Sequence, residues 1–203
     1  MRVYVLIGCL IALPASAESE KYRYNSLADE GGGVVVEQSS DGSVQMFAGY
    51  DTVIPGRSGC DLKSRYLCID VGGLELAVPK DFLSLIPKRP GFKRIGWLYG
   101  GRYYSLLWPG QWVSEDDVRY EYKLKIYGRN EVVYKISSHS SEWKQGDNSF
   151  NDTLEALFYW SPAKGVIAYS LVSGRFKEND VMWPVFREFW LADDCGLLSL
   201  TGC

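Results

Sequence analysis

The alternation of apolar and polar side chains along the chain repeats with a period of two far more often than with the period of a helix. Its fullest case is Val118 to Ile126, where Val118, Tyr120, Tyr122, Leu124 and Ile126 alternate with Arg119, Glu121, Lys123 and Lys125. Successive side chains on a strand point to opposite faces, so this stretch predicts a strand with one buried and one wet face. Phe158 to Phe176 predicts a hairpin: an aromatic run at Phe158, Tyr159 and Trp160, a turn over Ser161-Pro162-Ala163-Lys164, Gly165 where a left-handed residue is needed, and a return strand from Val166. Two further units read strand, glycine pair, strand. One is YLCIDV, Gly72-Gly73, LELAV; the other runs from Arg94 to Trp108 around Gly100-Gly101. Two residues that tolerate positive φ between apolar runs signal a tight hairpin.

The remaining stretches fill in around these. Val34 to Val36 and Val44 to Ala48 predict a hairpin, and Val132 to Ser137 a strand after the turn at Gly128-Arg129-Asn130. Glu18 to Glu30 reads as a loosely held arm, and Gly49 to Lys63, with Pro55, Gly56 and Gly59, as a loop. Lys80 to Ile86 has room for one helical turn. Ser138 to Asp152 is a polar loop of about 15 residues, long enough to read as either mobile or used for binding. Lys177 to Asp180 is a second polar turn, followed by a closing strand broken at Pro184. About ten short strands with little helix predict a mainly β fold, an antiparallel meander of hairpins closed as a barrel or folded as a sandwich.

The first 17 residues change the picture from fold to destination. Arg2, an apolar run from Val3 to Leu13, and small residues at Ala15 and Ala17 make residues 1–17 a secretory signal cut near Ala17. Leu6-Ile7-Gly8-Cys9 offers a lipoprotein alternative, but cutting before Cys9 leaves the apolar core short. No later run reaches the about 20 apolar residues of a membrane span, so a periplasmic or secreted, non-spanning protein is expected. Removing 17 of 203 residues leaves 186, one domain over residues 18–203, and the loss of Arg2 takes the formal charge from −3 to −4. An acidic chain without a basic stripe disfavours nucleic acid.

Without Cys9 the cysteines are Cys60, Cys68, Cys195 and Cys203, an even set that reads as two disulfides in an exported chain. Three connectivities are open, the local one (Cys60 to Cys68, Cys195 to Cys203) being the simplest. Zinc is disfavoured by the spacing.

Candidate chemistry is sparse. His139 is the sole histidine, reads as a solvated loop residue, and excludes a multi-histidine metal site. Glu115-Asp116-Asp117 and Asp193-Asp194 are the paired carboxylates a hydrolase would need, but neighbours on a loop diverge. Asp147, Asn148, Ser149, Asn151 and Asp152 lack the spacing of a calcium loop, and no cofactor is expected. Aromatics carry more weight, with seven Trp and 14 Tyr. Trp108, Trp112, Trp143, Trp160 and Trp183 fall in or near turns, where aromatic groups anchor partners or stack on sugars.

No motif assigns a family. The outline of an export signal, one small disulfide-bearing β domain and no catalytic set is shared with periplasmic inhibitors of cell-wall hydrolases and with immunity proteins, a likeness of architecture that does not carry function. The expectation is an exported inhibitor-like domain that binds another protein, a basic one by charge complementarity, of the class of secreted toxins or cell-wall hydrolases, with Trp143, His139, Asp147, Trp112 and Trp160 as binding candidates. A carbohydrate or cell-wall binding module is the alternative, and a two-carboxylate hydrolase the second.

Overall fold

The computed structural model describes residues 19–26, 33–39, 43–48, 52–58, 65–88, 93–108, 133–140 and 150–201. Residues 1–17, read as a secretory signal, the strand expected over Val118 to Ile126 and the Glu115 to Asp117 acids lie outside them. The described residues form one nearly closed, barrel-like antiparallel sheet of twelve strands with little helix.

Six strands follow one another as a meander: β1 (Ser19–Ser26), β2 (Gly33–Ser39), β3 (Ser43–Ala48), β4 (Thr52–Ser58), β5 (Tyr66–Val71) and β6 (Leu74–Pro79). A second meander comprises β7 (Lys93–Tyr99), β8 (Arg102–Trp108), β9 (Tyr134–His139), β10 (Leu154–Ser161), β11 (Gly165–Glu178) and β12 (Val181–Ala192). The two halves join through their outermost members, Tyr24 of β1 lying opposite Ala192 of β12. That leaves β6 and β7, consecutive in the chain, as the two edges.

Side chains bridge this seam where no ladder does. The Trp97 indole Nε1 donates to the Ala77 carbonyl at 2.7 Å, and the rings of Tyr66 and Tyr99 meet at 5.0 Å. An unpaired strand edge invites pairing with another chain, and the indole occupies one of its acceptors.

The core follows from the alternation. Tyr24, Val36, Ile69, Leu74, Tyr104, Ile136, Phe158, Trp160 and Val166 are buried in one cluster. A one-turn helix, α1 (Phe82–Leu85), inserts Phe82 among Trp97, Tyr134 and Trp160 with ring centroids 4.9 to 5.8 Å apart. A second short helix, α2 (Phe150–Thr153), leads into β10. Tyr159, Ile167, Ala168 and Phe189 form a smaller cluster on the other face of β10 to β12.

The tail after β12 closes the body. Val166 N–H donates to Leu197 O, and Leu200 N–H to Pro162 O. Tyr24 Oη donates to Val166 O at 2.9 Å while accepting from Leu197 N–H at 3.0 Å. Gly196 makes this approach possible, since a Cβ there would fall 1.7 Å from the Val166 carbonyl oxygen. No described helix is long and apolar enough to cross a membrane.

The expected hairpins form: Gly72, Gly73, Gly100 and Gly101 all have positive φ, and Gly165 opens β11 at +75°. Three local expectations are corrected. Residues 19–26 are a strand held between β2 and β12, because Tyr22 and Tyr24 alternate with Lys21 and Arg23 and give the strand a buried side. The Gly49 to Lys63 loop contains β4, where Gly56 allows close approach to β5: a Cβ there would lie 2.4 Å from Val71 Cβ. β12 runs unbroken through Pro184, and the irregularity falls instead where the two strands pair between Ser170 and Gly174, with one extra residue first on β12 and then on β11.

Cys68 on β5 and Cys195 beyond β12 are in the disulfide-bonded form. Cys60 and Cys203 lie outside the described residues.

Candidate functional site

Two features stand out against the regular body, a polar cleft and a projecting ribbon. The cleft, of about 370 Å³, is lined by the Gly72-Gly73 turn, Glu75 of β6, Arg102 of β8, Ser138 of β9, Glu155 of β10 and Arg175 of β11. Glu155 owes its direction to a bulge. Leu154 lies opposite His139 and Ala156 opposite Ser138, so Glu155 is the extra residue between two consecutive partners. Bulges re-aim side chains in this way. Arg102, immediately after the second glycine pair, contacts both Glu75 and Glu155.

Glu75 and Glu155 thus form an ion-pair network around Arg102.

Of the acids expected from sequence, Asp193 and Asp194 are described and turn to different partners. Asp193 contacts Asn25, while Asp194 pairs with Lys164 at 3.2 Å from an exposed position. Among the described residues no group of three or more His, Cys, Asp and Glu side chains is placed to hold a metal.

The second feature is the outer part of β11 and β12. Gly174 to Glu178 pairs with Val181 to Val185 beyond the point where β10 stops. The turn uses Asn179 and Asp180 with φ of +49° and +62°, residues that tolerate the left-handed region. Phe176 lies directly opposite Trp183, and Val181 and Val185 share their face by alternation. All four are exposed, Phe176 at 51% and Trp183 at 44%. The base of the ribbon is pinned by Arg175 Nη2 donating to Leu154 O at 2.6 Å and by Ser173 Oγ donating to Val185 O at 3.1 Å. Lys177 and Asp180 pair at the tip, 2.9 Å apart.

Two of the sequence candidates lie in the core. Trp160 is fully buried and its Nε1 donates to Leu198 O at 2.9 Å. His139 is not a solvated loop residue: it ends β9, is fully buried, and has Nδ1 3.4 Å from Thr153 Oγ1. The ladder to β8 and β10 extends past the apolar run and carries Ser138 and His139 inside. Trp143, Asp147 and Trp112 lie outside the described residues.

Sequence reasoning singled out Trp183 among the turn aromatics but passed over Phe176 and the cleft residues, although a signal existed for the latter. LELAV and LEALFYW each carry one Glu at the second position of an apolar strand, a placement that a buried strand does not favour without a partner. Comparison with family models, with curated proteins and with solved structures finds no match to this chain.

Proposed function

We propose that this protein is an exported binding domain that captures another protein through the β11–β12 ribbon. One observation carries the reading: Phe176 and Trp183 face each other across a two-stranded ribbon, flanked by Val181 and Val185, all solvent-exposed. A two-stranded ribbon is marginal in water, and a contiguous aromatic and aliphatic face on one is what interfaces bury. Aromatic anchors held by a rigid base supply most of the binding energy at such interfaces. Glu178 near the tip and a net charge of −3 favour a partner whose apolar groove has a basic rim. The signal-like residues 1–17 and the oxidised Cys68 and Cys195 support export.

The test is capture from a native extract by the mature protein, compared with the Phe176→Ala/Trp183→Ala variant. One stoichiometric protein held by the parent and lost by the variant supports the reading. Retention on peptidoglycan or polysaccharide without a protein partner would replace it with the carbohydrate-binding alternative.

A further inference from the structure

We infer that the surface around α1 is a docking site for a bilayer rich in anionic lipids. It lies away from the ribbon's apolar face and does not rest on protein capture. Lys80, Lys88 and Lys93 are exposed and face no carboxylate among the described residues, and exposed Arg65 rests on the Tyr66 ring and hydroxyl. By contrast Lys21, Arg23, Arg102, Lys164 and Lys177 each pair with an acid. The unpaired cations are also gathered. Lys80 N–H donates to Arg65 O at 2.8 Å. Lys88 and Lys93 are five positions apart, which limits their Cα separation to about 18 Å. Phe82 packs on Trp97, so α1 sits against β7, whose first residue is Lys93. Residues 80–94 hold five Lys or Arg against one acid, Asp81, in a chain whose formal charge is −3. Asp81 accepts from Ser84 Oγ at 3.5 Å.

An apolar side chain stands among these charges. Leu83 is 55% exposed while its neighbour Phe82 is fully buried, so the core holds the turn that presents it. Lysines near a bilayer are drawn to lipid phosphates, and a leucine between them enters the boundary of headgroups and acyl chains. A soluble polyanion would use the charges and leave Leu83 in water. β6 runs from the cleft at Gly73 and Glu75 to Lys80, so about 20 Å separates this surface from the cleft. β11 passes the cleft at Leu171 and Arg175 on its way to the ribbon tip. A chain held by the α1 surface therefore presents the ribbon away from the bilayer.

Cosedimentation of the full mature chain with vesicles of equal parts phosphatidylglycerol and phosphatidylcholine, and with pure phosphatidylcholine vesicles, tests this. Partition into the anionic vesicles alone, lost at about 1 M salt where the screening length is about 3 Å, supports it. The Lys80→Gln/Lys88→Gln/Lys93→Gln variant should weaken partition about a hundredfold, at about fivefold per cation, and Leu83→Ser about fivefold. Thermal unfolding checks that both variants remain folded. Lys21→Gln, which removes a paired cation, and Phe176→Ala/Trp183→Ala should partition as the parent does. No partition into anionic vesicles, equal partition into neutral ones, or unchanged partition of the folded lysine variant would overturn the inference. So would loss of partition in the ribbon variant, or soluble polyphosphate displacing the vesicles with an affinity that Leu83→Ser leaves unchanged.

Discussion

β11 is one continuous strand with two different fates. From Gly165 to Ser170 every residue is buried, whereas from Arg175 to Glu178 every residue is exposed. Pairing to β12 continues throughout, even though Arg175 to Glu178 holds fewer strand-forming residues than the inner half. The neighbours make the difference. The inner half has β10 beside it and the C-terminal tail across it, while the outer half has only β12. Strand formation and burial are thus separate properties, and only the second decides what a substitution does to stability.

The contrast can be broken most severely at Trp160. Trp160→Ala removes a fully buried indole from the ring cluster around Phe82 and leaves Leu198 O without its donor, and should destabilise the protein by about 3–5 kcal/mol in urea unfolding. A loss under about 1 kcal/mol would show that the inner half is not held by this packing. Gly196→Ala comes next. Its Cβ would meet the Val166 carbonyl, so the tail must shift away from β11, with a loss of about 1–3 kcal/mol and greater exposure of Leu197 to proteolysis.

Alkaline pH acts on the same inner half by a gentler route. Burial raises the phenol pKa of Tyr24, Tyr104 and Tyr169 from the ordinary 10.0, with nearby Glu75 adding to the effect at Tyr104. Above about pH 10 the unfolded chain releases protons that the folded chain retains, so stability present below that pH falls as pH rises. The melting temperature should decline from about pH 10 upward, and Tyr169→Phe should flatten the decline. An identical decline in that variant would remove Tyr169 from the account.

The smallest effect belongs to the ribbon. Trp183→Ala should change unfolding free energy by no more than about 0.5 kcal/mol, because the indole is already largely in water. A larger loss would mean that the ribbon's face supports the body.

These outcomes bear on what was legible in the chain. Tight turns were, because Gly72-Gly73, Gly100-Gly101 and Gly165 are demanded by local backbone geometry. Period-two alternation located most strands for the same reason. β1 and β4 were missed where long-range pairing overrode local punctuation: Pro55 and Gly56 look like a loop until β5 lies against them. The candidate sites were least visible. Glu75, Arg102 and Glu155 come from three separate strands and meet only through sheet order, while Trp160 and Trp183 look alike in sequence and differ in what stands beside them. His139 was misread because polar neighbours suggested a loop.

The junction of β1 with β12 has a consequence for how the molecule is made. The first strand finds a neighbour in β2 at once, yet its other edge stays bare until the last twelve-residue strand is delivered. A nascent chain is therefore two unfinished half-sheets, with the exposed edge that promotes misassembly. The ring cannot be completed in instalments: the final strand is its keystone, and a chain truncated before it has no closed form to adopt.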